Sequence, residues 1–382
     1  MLIGLVGVPN SGKSTFFKAL TLANVEIADY PFTTIKPNQG VGYVIRECPC
    51  KKLGVKCNPQ NSQCIDGFRY IPVKLLDVAG LVPGAHLGRG LGNQCLDDLR
   101  QADGLIHVLD CSGKTNAEGK PEEWDPEKSI KILEDEIDAW MGNIVKRGLE
   151  KVKKLAETQK KPIDKLLAQH LSGLGITEAD IENAMQKADI ESKEFVTILR
   201  KISKPILIAA NKIDVPSAQS HFERLKKKYN IMFCSAESEL VLKEAAHHGL
   251  IKYMPGSSSF EIISDKLNEK QKNALEFIRK NVLEKFGSTG VQNILNSMVF
   301  DFLNYIVVYP VANITKMCDK RGNVLPDAFL VKKGTTLKEF AAKIHSEMAD
   351  KFIGGIEHET KKKIGAEYEL KDGDIVEIIF GR

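Results

Sequence analysis

Residues 7–14 read Gly-Val-Pro-Asn-Ser-Gly-Lys-Ser, which fits the phosphate-binding pattern G-x-x-x-x-G-K-[ST]. An apolar run of strand length, residues 2–8, leads into it, and a helical pattern begins at Thr15. In such a loop the glycines allow a tight turn whose N–H groups face a phosphate, and the following helix adds its positive N-terminal dipole. The order strand, loop, helix therefore predicts a nucleotide phosphate site.

The pattern also predicts what individual residues of this loop do. Lys13 brings a positive charge to the β- and γ-phosphates, and the Ser14 hydroxyl is a ligand for Mg²⁺. The other loop residues predicted to contact the nucleotide are Asn10, Ser11, Gly12 and Thr15.

The rest of the chain alternates apolar segments of strand length with helical segments. Further buried strands are predicted at 72–78, 104–110, 205–210 and 231–235. This alternation favours an α/β fold, in which an open and mostly parallel sheet carries helices on both faces.

Two changes in sequence texture divide the chain further. Strand signals vanish between about 120 and 202, where charged, helix-forming residues predict an all-helical insertion. From Tyr305 onwards a strand, a helix at 336–349 and a closing strand at 374–380 predict a small α+β domain. The predicted domains are a nucleotide-binding domain of residues 1–118 and 202–304, the helical insertion of residues 119–201, and a C-terminal domain of residues 305–382.

Composition places the chain among globular proteins. Hydrophobic residues make up 43% and charged residues 27%, and no apolar run reaches the roughly 18 residues that a membrane-spanning helix needs. The N-terminus lacks the basic region and cleavage site of a signal peptide, so a cytoplasmic protein with no membrane partner is expected. The formal net charge of +4 is compatible with a nucleic-acid partner without requiring one.

A second phosphate-sensing motif, Asp77-Val78-Ala79-Gly80, ends the predicted strand at 72–78. A carboxylate at that position can hold Mg²⁺, and the Gly80 N–H can turn toward a γ-phosphate. The motif is short and also occurs in ordinary turns. The prediction of a phosphate and Mg²⁺ contact therefore depends on its position at the end of a strand.

Two further motifs at strand ends indicate which base is bound. In Asn211-Lys212-Ile213-Asp214 the Asp214 carboxylate can accept from guanine N1–H and N2–H₂ together, whereas adenine offers no such pair of donors. The segment 234–237, which contains Ser235 and Ala236, supplies backbone N–H groups that can bond guanine O6. The motifs in this order predict a guanine-nucleotide switch.

Together these motifs resemble the G1 to G5 elements of the TRAFAC GTPases, with Thr33-Thr34 as the second element. More narrowly, residues 30–38 (Tyr-Pro-Phe-Thr-Thr-Ile-Lys-Pro-Asn) and 77–85 (Asp-Val-Ala-Gly-Leu-Val-Pro-Gly-Ala) resemble the Obg family. Residues 88–93 (Gly-Arg-Gly-Leu-Gly-Asn) are similar to the second switch of its YchF branch, and residues 305–382 resemble a β-grasp TGS domain. The resemblance implies hydrolysis of GTP to GDP and phosphate, in a switch that acts toward a ribosome or RNA partner.

The resemblance also implies roles in catalysis. A threonine of the first switch would bind Mg²⁺ when the γ-phosphate is present, and Thr34 is favoured over Thr33. The predicted catalytic residues are then Lys13, Thr34 and Gly80, and the predicted Mg²⁺ ligands are Ser14, Thr34 and Asp77.

The residue that orients the attacking water is an open question. Leu81 stands where Ras-like switches carry a glutamine, and its side chain cannot hydrogen-bond to water. His86 of the same loop is one alternative, although a lone histidine of a switch loop is more often simply exposed. The other is K⁺, because Asn10 resembles the P-loop asparagine that helps to coordinate K⁺ in several GTPases of this class.

Two other functions stay open at this stage. Many YchF relatives have a disrupted fourth element and prefer ATP, whereas residues 211–214 are intact here and favour GTP. The absence of a glutamine at Leu81 keeps open a nucleotide-gated binding scaffold with negligible turnover.

Four cysteines crowd into one short segment with the spacing C-x-C-x6-C-x6-C. Four thiolates can enclose a tetrahedral Zn²⁺, although the spacing is looser than that of paired C-x2-C knuckles. Reduced surface thiols and disulfides are the alternatives. The cysteines are Cys48, Cys50, Cys57 and Cys64.

Basic residues cluster in the helical insertion and in two short runs elsewhere. Such runs are usually solvated faces, but the resemblance to ribosome-linked proteins favours contact with RNA phosphates. The residues are Lys146, Arg147, Lys151, Lys153, Lys154, Lys160, Lys161, Lys165, Lys226–Lys228 and Lys361–Lys363.

The guanine prediction has a direct test in the substitution Asp214→Asn. Loss of the carboxylate should weaken GTP binding by about 10- to 100-fold, since a hydrogen bond to a charged group contributes about 1.5–3 kcal/mol. The same variant should bind xanthosine triphosphate more tightly than the wild type, because the new amide donates where xanthine has an acceptor. Calorimetry with both nucleotides measures this, and wild-type binding of ATP as tight as that of GTP would refute it.

Overall fold

The computed structural model describes residues 1–22, 38–78, 80, 83–84, 98–344 and 350–381. They divide into two compact units. The first unit comprises the described residues of 1–22, 38–41 and 74–294, and the second comprises those of 42–73 and 295–381. Among all of these residues, no helix combines the length and the apolar character that a bilayer crossing requires.

The elements follow the chain in alternation for most of its length. The strands are β1 (Leu2–Val6), β2 (Gln39–Glu47), β3 (Gln63–Ile65), β4 (Phe68–Asp77), β5 (Gly104–Asp110), β6 (Ile206–Asn211), β7 (Ile231–Phe233), β8 (Ile251–Tyr253), β9 (Phe260–Ile262), β10 (Tyr305–Val311), β11 (Phe329–Lys332), β12 (Phe352–Glu357), β13 (Lys363–Ile364) and β14 (Ile375–Phe380). Among the described residues the helices include α1 (Lys13–Thr21), α2 (Pro49–Leu53), α3 (Pro126–Gln159), α4 (Ile163–Leu171), α5 (Glu178–Met185), α6 (Lys193–Ser203), α7 (Pro216–Leu225), α8 (Ala236–His247), α9 (Glu269–Ile278), α10 (Glu284–Phe286), α11 (Val291–Ser297) and α12, described over Leu337–Ile344.

A parallel sheet organises the first unit. Its strands neighbour one another in the order β4, β1, β5, β6, β7. Leu5 pairs in register with Asp77, and Asp110 pairs with Asn211. Because parallel strands all end at the same edge of a sheet, the loop after β1 and the residues that follow β4, β5 and β6 share that edge. The predicted α/β fold class is confirmed.

The sheet is buried on both faces, which explains why its strands read as continuous apolar runs. All seven residues of β5 are buried. His107 lies within this strand, and burial lowers the pKa of its ring to about 4, so the ring is neutral at physiological pH. Its presence among the apolar residues of the strand does not interrupt the sheet.

The predicted helical insertion is also confirmed. Helices α3 to α6 pack their apolar faces into one core with residues of the parallel sheet. The core residues that α3 to α6 contribute include Leu133, Ile137, Met141, Leu149, Leu167, Leu171, Ile181, Phe195 and Leu199. Side-chain caps fix where these helices begin: Thr177 and Asp180 form a capping box at α5, and Ser192 accepts from the Phe195 N–H at α6.

The second unit contains a sheet in the order β11, β10, β14, β12, β13. Its central pair, β10 and β14, is parallel, and its other pairs are antiparallel. Helix α12 covers the sheet through Leu337 and Phe340. This is the α+β arrangement predicted for the C-terminal part of the chain. Strands β11, β12 and β13 are additions to the predicted ones, and of the predicted helix at 336–349 the last five residues lie outside the described part.

The long helix α3 offers a test of how the insertion is anchored. The Asp125 carboxylate accepts the Glu127 N–H at 3.0 Å and also pairs with Arg224, whose two nitrogens lie 3.1 and 2.5 Å away. The hydrogen bond from Arg224 is the main reason that the pKa of Asp125 is lowered to about 2.

We expect Asp125→Ala to lower the free energy of unfolding by about 1 kcal/mol, the usual contribution of a helix cap, and Asp125→Asn to cost less because the amide oxygen still caps. A carboxyl group whose pKa is lower in the folded than in the unfolded chain stabilises the fold. This contribution is fully present only at pH values above the pKa of the unfolded chain, which is near 3.9. The difference between wild type and Asp125→Asn should therefore shrink as the pH falls from about 4 to about 2. Urea unfolding at several pH values measures both effects, and equal urea midpoints for wild type and Asp125→Ala would contradict the capping role.

Candidate functional site

The loop between β1 and α1 has the backbone geometry that its sequence predicts. Asn10 and Gly12 both lie in the left-handed region, with φ of 62° and 90°. The Ser11 N–H donates to the Val8 carbonyl at 3.3 Å, which closes the turn, and the Phe16 N–H donates to the Gly12 carbonyl as α1 begins. Of the predicted nucleotide contacts, Ser11 is buried within this turn.

The next residues of the loop are open to solvent to different degrees. Ser14 is exposed in the first turn of α1, whereas Lys13 and Thr15 are half-buried. An exposed hydroxyl beside free helical N–H groups can reach a metal ion or a phosphate.

The phosphate loop and the Asp77–Gly80 motif lie side by side. The Lys13 ammonium forms an ion pair with the Asp77 carboxylate, and Gly80 lies against Pro9, where a Cβ added to the glycine would come within 3.3 Å of the proline Cγ. The Asp77 N–H donates to the Asn38 carbonyl at 2.8 Å, which holds the end of β4. The structure thus brings together the lysine, the carboxylate and the glycine that the sequence assigned to phosphate and Mg²⁺.

The side chain of Asn211 joins three parts of the site. Its Nδ2 donates to the Ser11 carbonyl at 3.0 Å, and its Oδ1 accepts the Ala236 N–H at 3.0 Å. The Cys234 thiol points to the same Oδ1 at 3.7 Å. Asn211 is only 3% exposed, so both backbone groups depend on this one amide.

Lys212 is held by the carboxylate of Asp110, a residue that the sequence motifs did not identify. Its Nζ lies 2.7 Å from Asp110 Oδ2 and donates to the Asn10 carbonyl at 3.2 Å. Asp110 also accepts from Ser112 and Thr115. Burial opposes the ionisation of Asp110, but the hydrogen bonds from Lys212, Ser112 and Thr115 outweigh it, so its pKa lies below the usual value.

A signal for Asp110 was present in the sequence. It is the charged residue that ends the apolar run 104–110, at the same strand edge as Asp77 and Asn211. A buried carboxylate at that position needs a cation, and Lys212 supplies it.

The two segments predicted to contact the base are joined by a backbone hydrogen bond. The Ile213 N–H donates to the Cys234 carbonyl at 3.1 Å, and Asp214 beside it is half-buried. The Ser235 N–H donates to the Thr289 carbonyl at 2.9 Å, in addition to the bond between Ala236 and Asn211. Within 234–237, the Glu237 N–H lies in the first turn of α8, where helix geometry provides no carbonyl partner.

Several predicted residues lie outside the part of the chain that the structure describes. They are Thr33, Thr34, Leu81 and His86. Asn10, the residue predicted to help bind K⁺, is described: its Nδ2 donates to the Gly119 carbonyl at 2.8 Å, which orients the amide.

The four clustered cysteines come together in the second unit. Their sulfur atoms all lie within 4.8 Å of one another, with 4.0 Å between Cys48 and Cys57 and 3.7 Å between Cys50 and Cys64. These distances exceed the S–S bond of about 2.05 Å, so the cysteines are free thiols and the disulfide alternative does not apply. A cluster of four cysteine sulfurs could bind Zn²⁺.

Comparison with protein-family models gives three matches along the chain. The model described as 50S ribosome-binding GTPase matches residues 2–163, and the one described as Obg-like GTPase YGR210-like, G4 motif-containing domain, matches residues 209–313. The TGS domain model matches residues 321–380.

Similar proteins extend over the whole length of the chain. An uncharacterized GTP-binding protein of Methanocaldococcus jannaschii is 52% identical over 391 residues, which cover 99% of this chain and 98% of the relative. The solved structure of a GTP binding protein from Pyrococcus horikoshii OT3 is similar with a TM-score of 0.79 and 39% identity, and each chain is covered completely. The ribosome-binding ATPase YchF of Buchnera aphidicola is 28% identical over 99% of this chain and 98% of its own.

The contact between Gly12 and Asn211 provides a test of the site geometry. A Cβ at Gly12 would lie 2.2 Å from Asn211 Nδ2, so Gly12→Ala must displace the amide that joins the loop to Ala236. We expect GTP affinity to fall by about tenfold or more, because each of the two hydrogen bonds contributes about 1 kcal/mol.

A matched control separates this clash from backbone strain. Gly175 has φ of 72° and no atom within 4 Å of an added Cβ, so Gly175→Ala introduces the strain alone. Both variants should lose about 1 kcal/mol of stability through backbone strain, and Gly12→Ala should lose more because the Asn211 hydrogen bonds are disturbed as well. Only Gly12→Ala should lose GTP affinity in calorimetry. Equal GTP affinities for the two variants would count against the role given to Asn211.

Proposed function

Because the chain belongs to the Obg-like family of GTP-binding proteins, in the branch of YGR210 and YchF, we propose that it is a Mg²⁺-dependent GTPase whose nucleotide state controls binding to a ribosomal or RNA partner. The observation that carries the proposal is the Asn211 amide, which joins the phosphate loop to the segment that faces the base. With this bridge in place, the phosphate-binding and base-binding residues form one site.

Guanine is favoured over adenine by the residues around Asp214. The Lys212 ammonium donates to the Asn10 carbonyl, and the Ile213 N–H donates to the Cys234 carbonyl. These two hydrogen bonds hold the following carboxylate, that of Asp214, near the segment 234–237. Guanine offers this carboxylate two donors, and adenine would place an acceptor against it. The ATP-preferring alternative has support in the name of the YchF relatives, which are called ATPases, and direct competition between GTP and ATP decides between them.

The oxygen ligands for Mg²⁺ fit the chemistry of that ion. Asp77 is at the strand end beside Lys13, and Ser14 presents an exposed hydroxyl at the start of α1. With Thr34 these residues would supply the hard oxygen ligands that Mg²⁺ prefers. Bound there, Mg²⁺ would offset the charge that develops on the phosphates.

Lys13 and Gly80 contribute from the protein side. The Lys13 ammonium compensates the charge of the γ-phosphate, and the Gly80 N–H beside Pro9 can donate to a phosphate oxygen when one is present and relax after it leaves. This difference between the two nucleotide states is what a switch requires.

For the orientation of the attacking water we propose a bound K⁺ in preference to a side chain. Leu81 cannot orient water, whereas the Asn10 amide is held by Gly119 through its nitrogen, so its oxygen is the atom that can coordinate K⁺. The alternative role of His86 would be separated by comparing hydrolysis in K⁺ and Na⁺, since a histidine-dependent reaction does not distinguish them.

Contact with ribosomal RNA is supported by exposed charge and by the comparisons. Lys146, Arg147, Lys151 and Lys154 are all exposed on α3 and can reach phosphates. One matching family model is described as ribosome-binding, and the YchF relatives carry the same term in their name.

Single-turnover hydrolysis tests the enzymatic part of the proposal. We expect GTP to be hydrolysed faster than ATP, and Ser14→Ala to reduce the rate by about tenfold or more through loss of a metal ligand. Ser14→Thr keeps the hydroxyl and should retain most of the rate. Tight GTP binding with no turnover, whether ribosomes are present or not, would support the scaffold alternative instead.

Co-sedimentation with ribosomal particles tests the partner. Binding should be stronger with a non-hydrolysable GTP analogue than with GDP, and it should weaken as salt rises because phosphate contacts release counterions. A charge-reversed variant, Lys151→Glu with Lys154→Glu, should lose binding while keeping GTP affinity. Equal sedimentation with GTP analogue and GDP would remove the switch from the proposal.

A further inference from the structure

We propose that Cys48, Cys50, Cys57 and Cys64 bind one structural Zn²⁺, and that this ion fastens the loop 54–62 to the segment 323–328 of the TGS domain. Both stretches belong to the second unit. The proposal is independent of the nucleotide site.

The sulfur positions match a single tetrahedral ion. Zinc–thiolate bonds of about 2.3 Å in a tetrahedron place neighbouring sulfurs about 3.8 Å apart. The distances of 3.7 Å between Cys50 and Cys64 and 4.0 Å between Cys48 and Cys57 are close to that value, and no pair among the four exceeds 4.8 Å. The four sulfurs thus span the space that one zinc ion occupies.

Different elements deliver these sulfurs. Cys48 and Cys50 flank Pro49 at the start of α2, Cys57 comes from the following loop, and Cys64 lies in β3. The Cys48 N–H donates to the Gly67 carbonyl at 2.8 Å, which binds the start of α2 to the turn between β3 and β4. A fixed turn of this kind keeps the ligands in place.

Arg69 provides the independent observation. Its side chain is fully buried, and its Nη2 lies 3.4 Å from the Cys48 sulfur. Among the described residues no carboxylate forms an ion pair with it. Its other contacts are to the Ser62 hydroxyl, to the Leu325 carbonyl and, as a cation–π contact, to the Tyr309 ring, whose centroid lies 5.3 Å from Cζ. A buried guanidinium without an anion costs several kcal/mol. Four thiolates around one Zn²⁺ carry a net negative charge, and they would place it within hydrogen-bond distance of Arg69, which no described carboxylate does.

The loop that the ion would hold pairs with the TGS segment through its backbone. The Asn58 N–H donates to the Val324 carbonyl at 2.8 Å, and the Gln60 N–H donates to the Pro326 carbonyl at 2.6 Å. The Asn61 amide exchanges two hydrogen bonds with the Ala328 backbone, at 3.2 and 2.9 Å.

Arg69 connects this pairing to the sulfurs. Its Nη2 donates to the carbonyl of Leu325, a buried residue whose φ of 46° is unusual for a leucine. A conformation of that kind persists only where neighbouring contacts hold it. The metal, the arginine and the loop therefore form one connected structure.

The donor set selects the kind of metal. Four cysteine sulfurs with no oxygen ligand favour zinc or a single iron over Mg²⁺ or Ca²⁺. A closed set of four protein ligands is typical of a structural site, because it leaves no position for a substrate or water.

Metal analysis of the full-length protein, purified with reductant and without chelator, tests the proposal first. We expect about one zinc per chain in the wild type and in Cys318→Ser, which changes a buried thiol of the same unit outside the cluster. Cys57→Ser should lose most of the zinc, and since Cys57 is only half-buried, the variant should still fold. Iron in place of zinc, or reduced protein that binds neither zinc nor added Co²⁺, would overturn the proposal.

Visible absorption spectroscopy and amide hydrogen exchange test how the protein is arranged around the ion. Co²⁺ bound at the site should show the visible absorption of a tetrahedral four-thiolate complex in wild type, and Cys57→Ser should change it. Removal of zinc by a chelator should increase hydrogen exchange in 54–62 and 323–328 together while leaving β12 unchanged. Unchanged exchange in both segments would show that the metal does not hold the loop.

The role of Arg69 has its own test. Arg69→Gln removes the positive charge and should leave the stoichiometry near one zinc per chain. Its zinc affinity, measured by competition with a chelator, should fall by about 10- to 100-fold, as is usual when a residue that contacts a metal ligand is changed. Arg69→Lys keeps the charge and should recover part of that affinity. Equal zinc affinity in wild type and both variants would refute the charge argument.

Discussion

The nucleotide site depends on the side-chain amide of Asn211. It donates to the carbonyl of Ser11 in the loop after β1 and accepts the N–H of Ala236 at the start of α8. The strand β5 separates β1 from β6 in the sheet, so this amide spans the gap that the strand order creates. A side chain without both a donor and an acceptor would leave a buried backbone group unpaired, at a cost of about 1–3 kcal/mol. The identity of this residue is therefore set by geometry as much as by any contact with a nucleotide.

Two cation–carboxylate pairs flank that amide and have different tasks. Lys212 and Asp110 are bound into the protein, since the same ammonium also donates to the Asn10 carbonyl and supports the loop from outside. Lys13 and Asp77 form the pair that is proposed to meet the phosphates, where an anion and a divalent cation would engage the two charges. The first pair supports the loop after β1, and the second is the one proposed to take part in the chemistry.

In the second unit a buried positive charge is again placed beside a group that can become negative, here the thiol of Cys48 in place of a carboxylate. Arg69 is as deeply buried as the core residues around it, and its hydrogen-bond partners are a hydroxyl, a carbonyl and a sulfur. Burial raises the pKa of the Cys50 thiol to about 12. At Cys48 burial also opposes ionisation, but the charge of Arg69 and the hydrogen bonds from Arg69 and Cys50 together outweigh it and lower the pKa of that thiol. Of these two thiols, the one that contacts the arginine is therefore the more readily ionised.

The phosphate loop, the order of the motifs along the sheet edge and the α/β class could all be predicted from the sequence. Each depends on local patterns: glycines at tight turns, apolar runs of strand length and polar residues directly after them. The sequence also indicated the helical insertion, the C-terminal sheet and the four-cysteine segment. Short strands such as β3 and β13 escaped because two or three residues carry no periodicity. Only the tertiary structure paired Asp110 with Lys212 and brought Arg69 to both Cys48 and Leu325, which lie 21 and 256 residues away in the chain. Those choices rest on the cost of leaving a charge buried without a partner, and that cost arises only when the chain is folded.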